Sequence, residues 1–458
     1  MSAERELRAF LGEHDVRTVI AAGVDTNGIL RGKRLPVERF LDSLGHGVLL
    51  CDVFWVMDVA EAELVERPAG HRGYFPTKAQ GYPDIVLRPD PATIRPVPWH
   101  DRTAIVLGTF AGADGRELPI DPRATLGRVV DRARSLGLEP MLGFELEFYL
   151  LAETPHSLAE RGFVEPKPLN ARPYTYGVYG GSRNEPVLGR MRDLLTRHGI
   201  PLEAANPETG PGQFEVNIRY GPALAAADQA ALFKNGVKEI AAQEGLLATF
   251  MAKPSQAWAG SSCHVHVSLW NGEQNVFWDE ANGSSPSTRM GQFMGGVLET
   301  MPELTAFVAP TTNAYKRFHP YSWAGSTATW GVDNRSTGLR AVLEGPRGTR
   351  VEHRQGGADA NPYLVAAVAL AGGLYGIEQE LEPPPETAAD AYLLGPDEAP
   401  LLPRSLEQAV ALLEESSRAR ALLGEDLVDY YAVYRRAEVS AAQAAVTDWE
   451  LRRYLEML

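Results

Sequence analysis

The stretch GFELEFYLL, residues 143–151, sets Glu145 and Glu147 two positions apart inside an otherwise apolar run. Strand side chains alternate in direction, so the two glutamates project to one face while Phe144, Leu146 and Phe148 pack on the other. Three other segments repeat the arrangement: Glu215, Asn217 and Arg219 in GQFEVNIRY (212–220), His264 and His266 in CHVHVSLW (263–270), and Glu352 with Arg354 in RVEHRQ (350–355). One such strand is ordinary for a sheet with a solvated face. Four of them, with Glu and His used in preference to Lys, Ser and Thr, fit a polar cavity lined by carboxylates and imidazoles. Burying such a lining is costly unless cations sit inside it.

Glu and His suit divalent Mg²⁺ or Mn²⁺, whereas zinc would draw more His or Cys. Phosphoryl transfer is the chemistry that most often uses about two or three such ions. The chain has no G-x-x-x-x-G-K-[ST] loop and no dinucleotide G-x-G-x-x-G after a strand, and Gly28 to Lys33 has the wrong spacing for a phosphate loop. A nucleotide would therefore be held by metals and arginines. Arg317, Arg335, Arg340, Arg347, Arg350 and Arg354 crowd the later half of the chain, where a structural salt-bridge network is the other reading.

Outward from these strands, helix and strand alternate. PRATLGRVVDRARSLG (122–137) reads as a helix leading into MLGFELEFYLL, and Asp228 to Gly245 as an Ala-rich helix leading into the strands LATFMAKP (247–254) and CHVHVSLW. Glu153 to Tyr176 reads as loop and EPPPET (382–387) as a Pro-rich surface segment. Ahead of them, RTVIAAGVD, a turn at Asp25-Thr26-Asn27-Gly28, ILRGKRLP, a helix from Val37 to Leu44, GVLLCDVFWVMDV and DIVLRPD make a small β-rich unit. A Pro- and Gly-punctuated connector from about Asp90 to Pro122 comes next. The expected class is α+β, with an N-terminal domain over 1–112 and a catalytic domain over 113–458.

A chain of 458 residues is long enough for two such domains. Its net charge of −15, from 44 Lys and Arg against 59 Asp and Glu, argues against nucleic acid or anionic lipid as a main partner. The opening MSAERELRAFLGEHD is a charged amphipathic helix candidate without a signal-peptide core, and no apolar run is long enough to span a membrane. Cys51 and Cys263 are too few for a disulfide framework, so a reduced, cytoplasmic setting is expected and a bridge between them is not.

An ordered set of motifs along almost the whole chain resembles the glutamine synthetase superfamily of the bacterial class I type. The set comprises GFELEF, PETGPGQFEVN, AADQAALFKNGVKEIA, LATFMAKP, GSSCHVHVSL, TNAYKRFHP, NRSTGLR, RVEHR with ANPYL, and the closing TDWELRRYLEML. The resemblance implies a β-grasp N-terminal domain before a barrel-like catalytic domain. It also implies a dodecamer of two stacked six-membered rings, with active sites between neighbouring subunits. Matched motif by motif, Glu147, Glu208 and Glu215 resemble one metal site, and Glu145, His264 and Glu352 a second. Arg317 and Arg354 look like the glutamate-binding arginines, with Gly260 giving backbone contact. A guanidinium fork suits carboxylate. His266, Arg335, Arg340 and Arg350 look like the groups around the ATP phosphates, with Arg335 catalytic. Tyr220 occupies the place of the ring that stacks on adenine, with a core aromatic as its other reading.

The implied reaction is phosphorylation of the glutamate γ-carboxylate by ATP, then attack of an amine on the acyl phosphate. The departures bear on the amine. The family flap Y-K-R-x-x-P-G-Y-E carries a glutamate that helps bind and deprotonate ammonium, but this chain has YKRFHPYSW, with Trp323 at that position. Ala259 replaces the Asn before the glycine of the His motif, and the D-G-S-S element appears as CDVFW, leaving Asp52 as the residue that would face ammonium. Exchanging a carboxylate for an indole removes charge and adds a surface suited to an alkyl chain or alkylammonium. Family relatives of this kind use ethanolamine, short alkylamines, polyamines or anilines, and the departures favour ethanolamine or another small monoamine. A polyamine, ammonium with Trp323 only packing the flap, and a catalytically silent regulatory or structural homologue are the alternatives. Tyr392, in DAYLLGPDE, falls roughly where some relatives carry an adenylylated tyrosine, but without the usual surrounding sequence, and reads as an ordinary loop tyrosine.

Overall fold

The computed structural model describes residues 3–61, 65–283, 285–395 and 397–458; Met1 and Ser2 of the predicted first helix and Pro396 near Tyr392 lie outside them. Helix α1 (Ala3–Glu13) leads into β1 (Thr18–Val24) and β2 (Leu30–Pro36), an antiparallel hairpin. Its turn forms because Asp25 Oδ1 accepts the amides of Asn27 and Ile29 at 2.9 and 3.0 Å. Gly28 supplies the positive φ of 79° there. Helix α2 (Val37–Ser43) precedes β3 (Val48–Cys51), β4 (Asp84–Pro89), β5 (Arg95–Pro96) and β6 (Thr103–Ala111). The sheet runs β2-β1-β6-β4-β3, with β5 paired to β6.

Two readings of this region change. The connector expected from Asp90 to Pro122 contains β6, the middle strand of the sheet. Its run TAIVLGTFA is buried on both faces and so lacks the alternation that marks a half-exposed strand. In GVLLCDVFWVMDV only Val48–Cys51 is strand, and Asp52–Val56 turns as a short 3₁₀ helix that buries Trp55.

Beyond β6, Asp121 ties the N-terminal sheet to the helix after it. Its carboxylate accepts Phe110 N at 2.7 Å and caps α3 (Pro122–Ser135) through Ala124 N at 2.9 Å. The chain continues through β7 (Glu139–Leu151), α4 (Pro155–Glu160), α5 (Val178–Arg197), β8 (Leu202–Pro207), β9 (Gln213–Pro222), α6 (Ala223–Gln243), β10 (Leu247–Thr249), β11 (Cys263–Asn271) and β12 (Gln274–Asn275). After α7 (Thr288–Val308) come β13 (Trp330–Val332), β14 (Leu339–Val342), α8 (Gly345–Gly348), β15 (Arg350–His353) and α9 (Pro362–Glu378). Helices α10 (Leu406–Glu415), α11 (Ser417–Leu423), α12 (Glu425–Ala444) and α13 (Asp448–Tyr454) close the chain. The large, barrel-like sheet has the order β13-β14-β15-β11-β7-β9-β8, with β10 on β7 and β12 on β11. Of LATFMAKP only Leu247–Thr249 pairs, and the segment expected to be loop contains α4, capped by Thr154 and Ser157.

Helix α9 is apolar all round and is therefore buried on all sides. It crosses α7 at glycines: a Cβ on Gly296 would lie 2.2 Å from Gly372 O and 2.4 Å from Gly376 N, a spacing no side chain tolerates. Arg123 of α3 holds Asp228 of α6 through two hydrogen bonds of 2.9 and 3.0 Å and reaches Asp90 at 3.0 Å. Tyr363 of α9 donates to the same Asp228 at 2.6 Å. These buried bonds tie three helices to the end of β4. Cys51 is exposed and Cys263 buried, and both are free thiols. Among the described residues no helix is long and apolar enough to cross a membrane.

Candidate active site

Strand register brings the polar pairs together. Glu145 on β7 stands opposite His264 on β11 and Asn217 on β9, and Glu147 stands opposite Glu215. On the other side of β11, His266 faces Glu352 of β15, which in turn faces Arg340 of β14. Positions directly opposite across neighbouring strands share a face, so these groups form one polar surface over five strands. At its edge a bulge in the β7–β9 ladder, between Leu142 and Phe144, changes which way β9 presents its residues. A Cβ on Gly143 would lie 3.4 Å from Tyr220 Cβ, which places the half-exposed Tyr220 on the same face as Glu145.

At the centre, donor atoms of Glu145, His264 and Glu352 lie within 4.8 Å of one another, and among the described residues no other group of His, Cys, Asp or Glu gathers so closely. His264 Nδ1 is 2.8 Å from Glu145 Oε1 and 3.5 Å from Glu352 Oε1. A carboxylate partner makes Nδ1 the donor, so the buried Nε2 is a lone pair, and it has no partner. His266 Nε2 approaches Glu145 Oε2 at 3.6 Å, while Nδ1 accepts from Arg350 Nε at 3.3 Å. Glu352 also accepts from Arg340 at 2.8 Å and from Arg354.

A second group of acids lies beside the first. Glu147 accepts from Ser262 N at 2.8 Å and from Gln213 Nε2 at 3.1 Å. Glu208 is held by Asn206 Nδ2 at 2.9 Å. Its neighbour Glu215 is buried. Burial, then the charge of Glu208, pushes Glu147 up to about 8, and burial followed by Glu145 and Glu147 pushes Glu215 up to about 10. The first group differs: burial raises Glu145 and Glu352, but His264 and His266 outweigh it at Glu145. At Glu352 the Arg354 guanidinium together with His266 and His264 outweighs it and holds the carboxyl down at about 2. The surface is thus short of positive charge around Glu147, Glu208 and Glu215. A buried imidazole whose Nδ1 lies 2.8 and 3.5 Å from oxygens of two crowded carboxylates, with more acids beside them, is a donor set that divalent cations fit.

The arginines divide by burial. Arg317 is 1% exposed, and its amino groups donate to Ser262 Oγ at 2.8 Å and Gln355 O at 3.1 Å. Gly260 stands beside it, and a Cβ there would fall 2.7 Å from Arg317 Cγ. Arg317 and Gly260 therefore shape the loop that feeds Ser262 N to Glu147. Arg354 bonds Glu352, Arg335 O at 3.2 Å and Trp323 O at 3.2 Å, joining the cluster to two exposed loops. The Arg335 side chain is exposed. Trp323 is 57% exposed with φ 61°, and Tyr321 has φ 63°, a left-handed conformation that costs an ordinary residue roughly 1–2 kcal/mol.

Asp52 is not gathered with these residues. It is 2% exposed at the start of the 3₁₀ turn after β3, where its Oδ2 accepts from Tyr74 at 3.2 Å and burial raises its pKa. One exposed residue that the motifs did not single out lies near enough to the acids to feel their charge. Tyr176 donates its amide to Pro207 O at 3.0 Å, next to Glu208, and partial burial, then the charges of Glu215, Glu208 and Glu145, push its phenol upward. The only hint in the sequence is the tyrosine-rich PYTYG (173–177) at the end of an unpatterned loop.

The family "Glutamine synthetase, catalytic domain" matches residues 119–454, a span that holds every acid, imidazole and arginine of this polar face. A glutamate–isopropylamine ligase of a Pseudomonas species is 38% identical over 455 residues, 99% of this chain and 98% of the relative. A γ-glutamylethanolamide synthetase of Streptomyces coelicolor is 39% identical over 455 residues, 99% and 96% of the two chains. Among solved structures, a GmaS/ADP complex is similar with a TM-score of 0.84 at 29% identity, covering 98% of this chain and 99% of that one.

Proposed function

The chain belongs to the glutamine synthetase family, and from that premise we propose that it joins glutamate to a small organic monoamine, with ethanolamine favoured, through a γ-glutamyl phosphate. It is an ATP-dependent glutamate–amine ligase, as its relatives' names support. Residue 323 carries the choice of amine: an exposed indole stands where the family flap has a glutamate, and its backbone is bound to Arg354 of the cluster.

In this reading Glu145, His264 and Glu352 would hold one Mg²⁺ or Mn²⁺ ion and Glu147, Glu208 and Glu215 another. Bound there, the ions neutralise charge on the transferring phosphoryl group. His266, Arg340 and Arg350 lie on the same face and supply positive charge and donors for the ATP phosphates. Tyr220, at the edge of that face, offers its ring to the adenine, and Arg335 on its exposed loop reaches the phosphoryl group in transfer. Arg354 and the loop held by Arg317 and Gly260 orient glutamate. The γ-carboxylate oxygen attacks the terminal phosphorus of ATP and ADP leaves. The neutral amine then attacks the acyl carbon, the C–O bond to phosphate breaks, and the amine proton passes to solvent or to a neighbouring carboxylate.

A phosphate-release screen dependent on ATP and glutamate, over ammonium, ethanolamine, methylamine, isopropylamine, putrescine, spermidine and aniline, tests this directly. A monoamine should exceed ammonium in kcat/KM by about tenfold, the worth of one or two buried methylenes. Equal use of ammonium would make the protein a glutamine synthetase with an unusual flap, and preference for putrescine or spermidine would make it a polyamine ligase.

The ring dodecamer belongs to the same proposal. It is supported by the apolar side chains that α13 and the residues after it expose, among them Trp449, Leu455 and Met457. In such a ring the N-terminal sheet would face a neighbour's site, and Asp52 would reach that site once its loop turned it away from Tyr74. Light scattering should report a mass near twelve chains of 50.0 kDa; an active monomer would leave Asp52 no role in any site.

A further inference from the structure

The segment 319–325, which carries Trp323, is fixed at both ends. Before it the short turn Ala314–Arg317 is largely buried, and after it Leu402 N bonds Ser326 O at 3.1 Å and Ala328 N bonds Pro400 O at 3.0 Å. Between those anchors Tyr321 and Trp323 both adopt left-handed φ. Two such residues close together persist only where their surroundings over-determine them. One constraint comes from the cluster side, the bond from Arg354 to Trp323 O.

The other comes from Tyr392. Its ring lies 5.8 Å from that of Tyr321, at 48°. Its hydroxyl donates to Ala324 O at 3.4 Å and also meets the Ser322 side chain and the Trp323 backbone. One side chain therefore touches four consecutive residues, 321 to 324. Tyr392 is itself rigidly mounted. It sits in the turn Ala391–Leu393, whose start is capped by Asp390 accepting Tyr392 N at 3.0 Å. Ala391 N donates to Ser336 Oγ at 2.9 Å, on the loop that carries Arg335.

We propose that Tyr392 is a positioning residue for the amine: it clamps residues 321–324 from outside, as Arg354 does from within, and so sets where Trp323 stands. The inference rests on the reading of Trp323 as the amine-facing residue. The two groups are complementary: Tyr392 spans residues 321–324, and Arg354 ties the Trp323 carbonyl to Glu352 of the carboxylate cluster.

The test pairs Tyr392→Ala with Tyr392→Phe, which keeps the ring and loses the hydroxyl. Amide hydrogen exchange is followed over residues 318–326, alongside KM for amine, glutamate and ATP. In Tyr392→Ala, exchange there should quicken by about tenfold and KM for the amine rise by about tenfold, with KM for ATP and glutamate within about twofold of wild type. Tyr392→Phe should fall between the two. Unchanged exchange in both variants would overturn the proposal, as would a uniform loss in kcat and every KM. Faster exchange with an unchanged amine KM would support the clamp and refute the amine reading of Trp323.

Discussion

His264→Ala is expected to abolish phosphate release, by about 10²–10⁴-fold in kcat, while leaving the fold intact. The residue lies on β11 between β7 and β15, and its backbone pairing does not depend on the imidazole. What the substitution removes is the buried, unpartnered Nε2 and the donor to Glu145 at 2.8 Å. Electrostatic stabilisation of a transferring phosphoryl group is worth several kcal/mol, and each 1.36 kcal/mol is a tenfold change in rate, which sets that range. Activity is not the sole readout. Binding of Mn²⁺, followed by paramagnetic resonance, should weaken by at least about tenfold in His264→Ala, whereas thermal unfolding without metal should shift little. Unchanged Mn²⁺ affinity, or more than about a tenth of wild-type activity at ordinary Mg²⁺, would refute the assignment of Glu145, His264 and Glu352 as a metal site.

Trp323→Glu should reverse the order of amines. The wild-type indole offers apolar area that an alkyl chain buries at about 25 cal/mol per Å², or about 0.8 kcal/mol per methylene. Losing it should lower kcat/KM for the best monoamine by about tenfold, and the new carboxylate should raise kcat/KM for ammonium by a similar factor. The backbone does not confound the comparison. Glutamate meets the same penalty as tryptophan at φ 61°, so the strain of the segment is unchanged. Trp323→Gly is the control: it relieves the strain and removes the indole without adding charge, so it should lose the alkylamine and gain nothing for ammonium. If Trp323→Gly and Trp323→Glu gain ammonium activity equally, charge at position 323 is not what selects the amine.

Much of the polar face is legible in the sequence. Alternation along a strand is a local property of the backbone, so GFELEFYLL, CHVHVSLW, RVEHRQ and the first half of GQFEVNIRY declare which residues share a side; past Ile218 the bulge gives that side to Tyr220 in place of the expected Arg219. Strand β6 escapes such a reading for the converse reason: buried on both faces, TAIVLGTFA has no alternation to read. Asp52 shows where motif matching stops, because what position 52 faces depends on the loop around it, and here that loop turns the carboxylate toward Tyr74.

The sequence by itself determined the four strands and the sides on which their acids and imidazoles stand, because each is encoded within a few consecutive residues. Only the tertiary structure decided that Glu145 meets His264, Glu147 meets Glu215 and His266 meets Glu352. It also brought Tyr176 near the acids and Tyr392 against the flap. A slip of one residue in any strand would send every polar group to the opposite face. What prevents that slip is packing between segments separated by tens to hundreds of residues, which no local pattern can express.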